Sequence, residues 1–154
     1  MYFFRRHAPW VSSLILGLLL VVGGGFMVVK GLSVRNEIRD ELRDEQIITS
    51  QKSRIPGVLV QDAETARAQA DIIKQDTLGT WGPYSQLPRD DPRRAQFIDG
   101  VTLRSALNMA VMGFGVTLLV IGAGILAFIA GAATLLLATP GLYFLAGMVV
   151  HRDG

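Results

Sequence analysis

Residues 105–150 form an apolar run that contains no Asp, Glu, Lys, Arg or His. About 20 apolar residues are enough to cross a bilayer as an α-helix. As one straight helix this run would be about 69 Å long, more than twice the thickness of a ~30 Å hydrocarbon core. The run therefore predicts a membrane protein, and we expect it to turn back or bend near residues 131–133 or 139–141, where Gly and Pro weaken a helix.

Charged residues are concentrated in residues 30–104, which hold twelve of the fifteen Lys and Arg and twelve of the thirteen Asp and Glu. This segment is electrically balanced, so the formal net charge of +2 comes from the ends of the chain. The pI near 9.3 reflects only this small surplus of basic residues, so we expect no nucleic-acid partner. The absence of cysteine excludes disulfides, iron–sulfur clusters and thiol chemistry.

The N-terminal apolar run, residues 10–29, is long enough for one bilayer crossing. Arg5 and Arg6 precede it, and Trp10 at its start suits the membrane interface. The run is longer than a typical signal-peptide core and no Ala-x-Ala site follows it, so we expect an uncleaved anchor. The positive-inside rule then predicts a cytoplasmic N-terminus and residues 30–104 outside the cytoplasm.

The predicted fold is an all-α membrane protein. It is a helical hairpin of two transmembrane helices with a small extracytoplasmic α-rich domain between them, and a third C-terminal membrane segment is left open. The predicted segments are a cytoplasmic tail (1–9), transmembrane helix 1 (10–29), the extracytoplasmic domain (30–104), transmembrane helix 2 (105–130), a membrane or interfacial segment (131–150) and a C-terminal tail (151–154).

Small residues recur on one face of each predicted membrane helix. The first stripe is Ser13, Gly17, Gly24 and Gly31, and the second is Ala110, Gly113, Thr117, Gly124, Ala127 and Gly131. Small residues let two helix backbones approach closely, which favours association in lipid. We predict that these are helix-packing positions. The spacing leaves open whether the stripes pack on each other, on other membrane subunits or in a homo-oligomer.

The first membrane helix is predicted to continue past Lys30 into water. Val34, Ile38 and Leu42 follow at every fourth position and form an apolar column. The neighbouring columns are charged and consist of Arg35, Arg39 and Arg43, of Asp40 and Asp44, and of Glu37, Glu41 and Glu45. Rows of carboxylates attract hard cations, but no loop with ligand spacing accompanies them, so we expect a solvated face and no metal.

Two aspartates are predicted to cap helices in the charged segment. Asp62 precedes a short helix at residues 63–75, and Asp91 precedes a helix that starts at Pro92. The second helix has no stop before the membrane, so the domain is held by extensions of both membrane helices.

Four stretches of the charged segment together carry a resemblance to other proteins. They are the Val34, Ile38 and Leu42 helix, Asp44-Glu45-Gln46-Ile47, Ala68-Gln69-Ala70-Asp71-Ile72-Ile73 and Leu87-Pro88-Arg89-Asp90-Asp91-Pro92-Arg93. The resemblance is to a group of uncharacterised small bacterial membrane proteins that is frequent in actinobacteria. It extends to about residue 130 and implies a two-helix topology in the bacterial cell membrane. The C-terminal apolar extension departs from that pattern, and the group often carries the label of aromatic ring-opening dioxygenase.

The residues do not support dioxygenase chemistry. Non-haem iron oxygenases hold their metal with two histidines and a carboxylate. The only histidines here are His7 and His151, which flank the two ends of the apolar framework. The chain also lacks a P-loop, a dinucleotide fingerprint, zinc-ligand spacing and a G-x-S-x-G elbow. We expect a non-enzymatic protein with no catalytic residues, no metal and no cofactor.

Two functions compete. The first is an accessory or structural subunit that docks onto a larger membrane complex through its small-residue faces and its extracytoplasmic domain. The alternative is a membrane-anchored module that binds or senses a ligand or lipid outside the cytoplasm. For that module the candidate contact residues are Trp81 and Tyr84, because aromatic side chains in a Gly- and Pro-rich loop suit recognition.

Overall fold

A computed structural model describes the backbone of residues 2–150 and the side chains of residues 10–145. Within residues 2–150 the chain is all-helical, with 81% helix and no strand. The chain divides into two compact units. We call Met1–Leu32 with Leu119–Gly154 the apolar unit and Ser33–Leu118 the polar unit.

Four α-helices account for most of the described residues. They are α1 (Tyr2–Asp44), α2 (Ala63–Lys74), α3 (Arg93–Ala133) and α4 (Thr139–Val150), with π-helical segments at Gln75–Gly79 and Thr134–Ala138 and a 3₁₀ turn at Tyr84–Gln86. Two stretches, Trp10–Asp44 and Arg93–Leu145, are long and apolar enough to cross a membrane. The prediction of an all-α chain with two long apolar helices is therefore confirmed.

Helix α1 continues past Lys30 to Asp44, as the apolar column predicts. It ends where Gln46 takes a left-handed φ of 51°. Several side chains hold the loop that follows, and among them the Thr49 hydroxyl donates to the carbonyl of Ile55 and accepts the N–H of Val58. This loop is irregular, because it contains no strand beyond a single bridge between Ile48 and Leu59.

Helix α2 begins at a reciprocal cap. The Asp62 carboxylate accepts the N–H groups of Glu64 and Thr65, and the Thr65 hydroxyl accepts the N–H of Asp62. This arrangement satisfies backbone donors that the first helical turn leaves unpaired. The predicted cap and short helix are thus confirmed, with the helix ending at Lys74.

The core of the polar unit draws on α2, on α3 and on the loop before α2. Its buried members are Val60, Ala66, Ala70 and Leu107, and Leu42, Ile47, Ile73 and Val111 pack against them. Leu107 is only 1% exposed. Leu107 and Val111 belong to the apolar run at residues 105–150, so the first part of that run covers a protein core.

In the apolar unit the helix continues beyond Ala133 without a turn. The π-helical segment Thr134–Ala138 leads into α4, and the N–H of Thr139 donates to the carbonyl of Thr134. The Thr139 hydroxyl donates to the same carbonyl at 3.1 Å. Pro140 follows this π-helical segment within two residues and has no N–H to donate to the preceding turn, so it interrupts the hydrogen bonds of the continuing helix.

Candidate functional site

The glycine stripes of α1 and α3 meet within the apolar unit. A Cβ built on Gly24 would lie 2.6 Å from both the carbonyl oxygen of Gly124 and the N of Phe128. A Cβ built on Gly131 would lie 2.7 Å from the carbonyl oxygen of Gly17. Both distances are too short for a side chain, so the two backbones touch at these positions.

Five helical glycines outside the stripes have open space instead. A Cβ on Gly23, Gly25, Gly115, Gly122 or Gly141 would meet nothing within 4 Å. The remaining stripe members differ among themselves: Gly31 and Thr117 are buried, Ser13 is half-buried, and a Cβ on Gly113 would lie 2.8 Å from the end of the Ile38 side chain. Their role as helix-packing residues stays a prediction.

Polar and aromatic contacts continue this pairing towards the N-terminal end of α1. The hydroxyls of Ser13 and Thr139 lie 3.1 Å apart. The rings of Trp10 and Tyr143 meet edge to face, with their centroids 5.8 Å apart. Going back along α1, the contacts reach ever later positions of α3 and α4, so the paired stretches run antiparallel.

Both paired stretches expose large apolar side chains on their outer faces. Leu19, Val22, Leu119 and Leu136 are each about two-thirds exposed or more, at 66%, 69%, 74% and 74%. Soluble proteins rarely expose apolar patches of this extent. A surface of this kind suits hydrocarbon.

The aromatic pair proposed as ligand contacts packs inside the polar unit. The ring centroids of Trp81 and Tyr84 lie 6.5 and 5.6 Å from that of Phe97. The Arg94 guanidinium lies 4.1 Å from the Tyr84 centroid and donates to the carbonyl of Leu87. These contacts hold the loop against the first turns of α3, and a ligand role for Trp81 or Tyr84 stays a prediction.

A cleft of about 410 Å³ in the polar unit combines arginines with apolar side chains. Arg35 comes from α1, Arg54 from the loop after it, and Arg67 from α2. The other residues that line this arginine cleft are Ala63 and Glu64 of α2 and Val111, Phe114, Gly115 and Leu118 of α3. Four segments distant in sequence therefore build the site.

The three arginines of the cleft are not neutralised. None of their guanidinium groups forms an ion pair or a hydrogen bond with another residue in the described part of the chain. Glu64 is the single acid of the lining, so the lining carries three positive charges and one negative. The guanidinium of Arg35 lies 5.9 Å from the centroid of the buried Phe114 ring, at the edge of cation–π range.

No protein-family model, no curated protein and no solved structure matches this chain. The resemblance to small bacterial membrane proteins therefore stays a prediction. A guanidinium carries a fixed fork of donors that matches the oxygens of a phosphate or carboxylate, and apolar neighbours favour a ligand that is only partly polar.

Acidic side chains line two other cavities in the polar unit. One of about 390 Å³ includes Glu37, Glu41 and Glu45, and one of about 410 Å³ includes Glu45 and Asp99. Among the residues described, no three His, Cys, Asp or Glu side chains are grouped closely enough to hold a metal ion. The side chain of His7 and the whole of His151 lie outside the described residues.

Sequence reasoning missed the arginine cleft. Arg35 was recognised as part of a basic column, whereas Arg54 and Arg67 stand apart from any cluster in the sequence. Their convergence depends on how the loop and α2 fold onto α3. The one hint available was that both lie in the segment between two membrane-type helices.

Proposed function

We propose that this chain is a non-enzymatic integral membrane protein whose polar unit binds an anionic, partly apolar ligand at the arginine cleft. The observation that supports it is the convergence of Arg35, Arg54 and Arg67, without ion pairs among the described residues, on a cavity lined by α3 apolar side chains. Unpaired like charges repel one another, and a bound anion would relieve that repulsion.

The proposed membrane arrangement is a hairpin with crossings at residues 10–29 and 119–143. The second range replaces residues 105–130, because Leu107 and Val111 belong to the core of the polar unit. Twenty-five helical residues span about 37 Å, enough for the hydrocarbon core and part of each interface. Trp10 and Tyr143, in contact at one end of the pair, suit an aromatic belt. The excess length of the apolar run then needs no third crossing.

The proposed orientation places the polar unit outside the cytoplasm of a bacterial cell. It rests on Arg5 and Arg6, whose side chains lie outside the described residues, and on the positive-inside rule. The exposed apolar faces, which hydrocarbon would cover, also support a membrane location.

A pair of single-chain amphiphiles tests the proposed ligand class. Dodecyl phosphate is anionic, whereas dodecylphosphocholine has the same chain and a headgroup without net charge. Titrated calorimetrically into the full chain in a neutral detergent, the anionic probe is expected to bind at least tenfold more tightly.

A double variant then assigns that preference to the cleft. Arg54→Gln with Arg67→Gln removes the positive charges of two exposed side chains and is expected to abolish the preference for dodecyl phosphate. Arg43→Gln with Arg89→Gln, two exposed arginines outside the cleft lining, is the matched control for lost charge. The proposal falls if both probes bind wild type equally, or if the two double variants lose the preference alike.

The accessory-subunit interpretation is the second candidate. Asn108, Gly115 and Gly122 recur at every seventh position of α3, are exposed, and the two glycines have open space above them. A face of this kind accepts a partner helix closely. Mild-detergent purification from the native host tests it: a stoichiometric partner that Gly122→Leu releases supports it, and a chain that purifies alone speaks against it.

A further inference from the structure

The arginine cleft has an apolar side that free inorganic anions do not need. Phe114 is 5% exposed and lies beneath Arg35, whereas Leu118 is 60% exposed at the edge of the cleft. An ion surrounded by water gains nothing from contact with such residues, but a hydrocarbon chain does. The lining therefore favours a ligand that carries a charged group and an acyl or alkyl chain together.

The cleft also lies at the depth of lipid headgroups if the proposed crossings hold. Arg35 follows the end of the first crossing by about 9 Å along α1. Leu118 immediately precedes the second crossing at residues 119–143. Arg35 and Leu118 of the lining are thus both next to the ends of the proposed crossings. A lipid can reach this position sideways from the bilayer, without leaving it.

The three arginine side chains limit the kinds of lipid headgroup that the cleft can bind. Guanidinium groups bind phosphate oxygens in pairs of parallel hydrogen bonds, and basic pockets beside membrane helices bind anionic lipid headgroups. Three arginines and one glutamate leave a surplus of positive charge, which a zwitterionic headgroup does not neutralise. A cavity of about 410 Å³ is at the small end of ligand sites, so it suits a headgroup whose acyl chains remain in the bilayer.

We infer that the arginine cleft binds the headgroup of an anionic phospholipid from the surrounding bilayer, with one acyl chain running past Leu118. This inference rests on the proposed anion-binding function and adds the source of the ligand, which is the bilayer and not the aqueous phase. The phosphate accepts hydrogen bonds from Arg35, Arg54 and Arg67, and Phe114 keeps water from the apolar end of the site.

Native mass spectrometry of the delipidated full chain in neutral detergent provides the test. The probes are phosphatidylglycerol and phosphatidylcholine with identical acyl chains. Wild type is expected to retain phosphatidylglycerol more than tenfold better. The triple variant of Arg35, Arg54 and Arg67 to Gln is expected to lose about 100-fold in phosphatidylglycerol affinity, at about fivefold for each charge removed near the membrane surface.

A matched triple variant controls for charge alone. Arg43→Gln, Lys52→Gln and Arg89→Gln removes the same number of exposed charges outside the cleft lining, and less than a tenfold loss is expected. Circular dichroism checks that each variant is folded. Should the cleft triple fail to fold, Arg54→Gln and Arg67→Gln as single changes carry the test, since both side chains are exposed.

Glycerol phosphate separates the two sources of phosphate. It is expected to bind wild type at least tenfold more weakly than phosphatidylglycerol does. Leu118→Gln is expected to lower the affinity for phosphatidylglycerol and to leave that for glycerol phosphate unchanged. If glycerol phosphate bound as tightly as the lipid, the bilayer source would be wrong while the anion-binding function stood. If phosphatidylglycerol and phosphatidylcholine bound equally, or the control triple lost as much as the cleft triple, both proposals would fall.

Discussion

Gly24 and Gly124 are in reciprocal backbone contact. A Cβ built on Gly24 would lie 2.6 Å from the carbonyl oxygen of Gly124, and one built on Gly124 would lie 2.8 Å from the carbonyl oxygen of Gly24. Because the obstacles are backbone atoms, no side-chain rotation would relieve either overlap. Lipid tails are as apolar as the helices, so this close approach, through dispersion contacts, is what favours the pair in a bilayer.

We expect Gly24→Ala to destabilise the helix pair by about 1–3 kcal/mol, as overpacking does in well-packed cores. Gly23→Ala is the matched control, since it adds the same methyl group where nothing lies within 4 Å. The midpoint of thermal unfolding in a neutral detergent measures both, and Gly24→Leu should lower it further. Equal midpoints for Gly23→Ala, Gly24→Ala and wild type would mean that the stripe faces lipid.

The spacing of the glycines could be predicted from the sequence, but their partners could not. A sevenfold repeat places Gly17, Gly24 and Gly31 on one face of a helix, because that is a property of local geometry. Which residues of α3 face them depends on the register of the two helices. That register involves residues far apart in the chain, and no local pattern contains it.

Hydropathy alone does not separate a membrane crossing from a protein core within residues 105–150. A residue that avoids water is equally suited to lipid and to a protein core, so Leu107 and Leu119 look alike in the sequence. In the structure Leu107 is 1% exposed, in the core of the polar unit, and Leu119 is 74% exposed on the apolar unit. The arginine cleft could not be predicted for a related reason, because Arg54 and Arg67 come together with Arg35 only in the folded chain.

The proposed topology predicts that the polar unit is accessible from outside the cell. Ser85→Cys is the suitable reporter, because Ser85 is exposed, whereas the N–H and hydroxyl of Ser50 hydrogen-bond Gln69 and Lys52. The wild-type chain has no cysteine, so labelling is specific. A membrane-impermeant maleimide should modify Ser85→Cys in intact cells. Reaction only after lysis would reverse the orientation.

The cap at Asp62 is expected to make the polar unit less stable in acid. Burial raises the pKa of this carboxyl, but hydrogen bonds from Thr65 and Glu64, with the charge of Arg39, outweigh burial and leave the pKa below its usual 3.8. A group whose pKa is lowered by folding stabilises the fold above its unfolded pKa. That stabilisation is lost as the pH falls through the folded pKa, so the polar unit should weaken below about pH 4.

Asp62→Asn isolates this effect, because asparagine caps a helix about as well and does not titrate. The stability difference between wild type and Asp62→Asn should shrink from about pH 5 to about pH 3, whereas Asp62→Ala should cost about 1 kcal/mol at neutral pH. Fluorescence of Trp81 in a Trp10→Phe background follows unfolding of the polar unit. A difference that stays constant over this range would exclude a titrating cap.

Mutation of Glu64 is expected to increase the affinity of the arginine cleft for anions. It is the one acid among the residues that line the arginine cleft, and its side chain is exposed. Glu64→Gln removes a negative charge and keeps the shape, so dodecyl phosphate should bind up to about fivefold more tightly. Asp71→Gln, an exposed acid of α2 outside the cleft lining, controls for overall charge. Equal gains in the two variants would place the anion elsewhere.

The last prediction is that the chain holds no catalytic iron. Ring cleavage by a non-haem iron enzyme needs a metal held by several side chains, typically two histidines and a carboxylate, with positions open to oxygen and substrate. This sequence has only His7 and His151, one near each end. The acids of α1, which are Glu37, Asp40, Glu41 and Asp44, stand at exposed positions with no histidine among them.

Purified protein should therefore contain far less than one equivalent of iron by elemental analysis. Replacing both His7 and His151 by alanine should leave the thermal midpoint, the helix content and dodecyl phosphate binding unchanged. Reconstitution with ferrous iron under anaerobic conditions guards against loss of metal during purification. About one equivalent of iron that the double variant no longer binds, together with cleavage of a catechol by wild type alone, would overturn the non-enzymatic proposal and restore the dioxygenase interpretation.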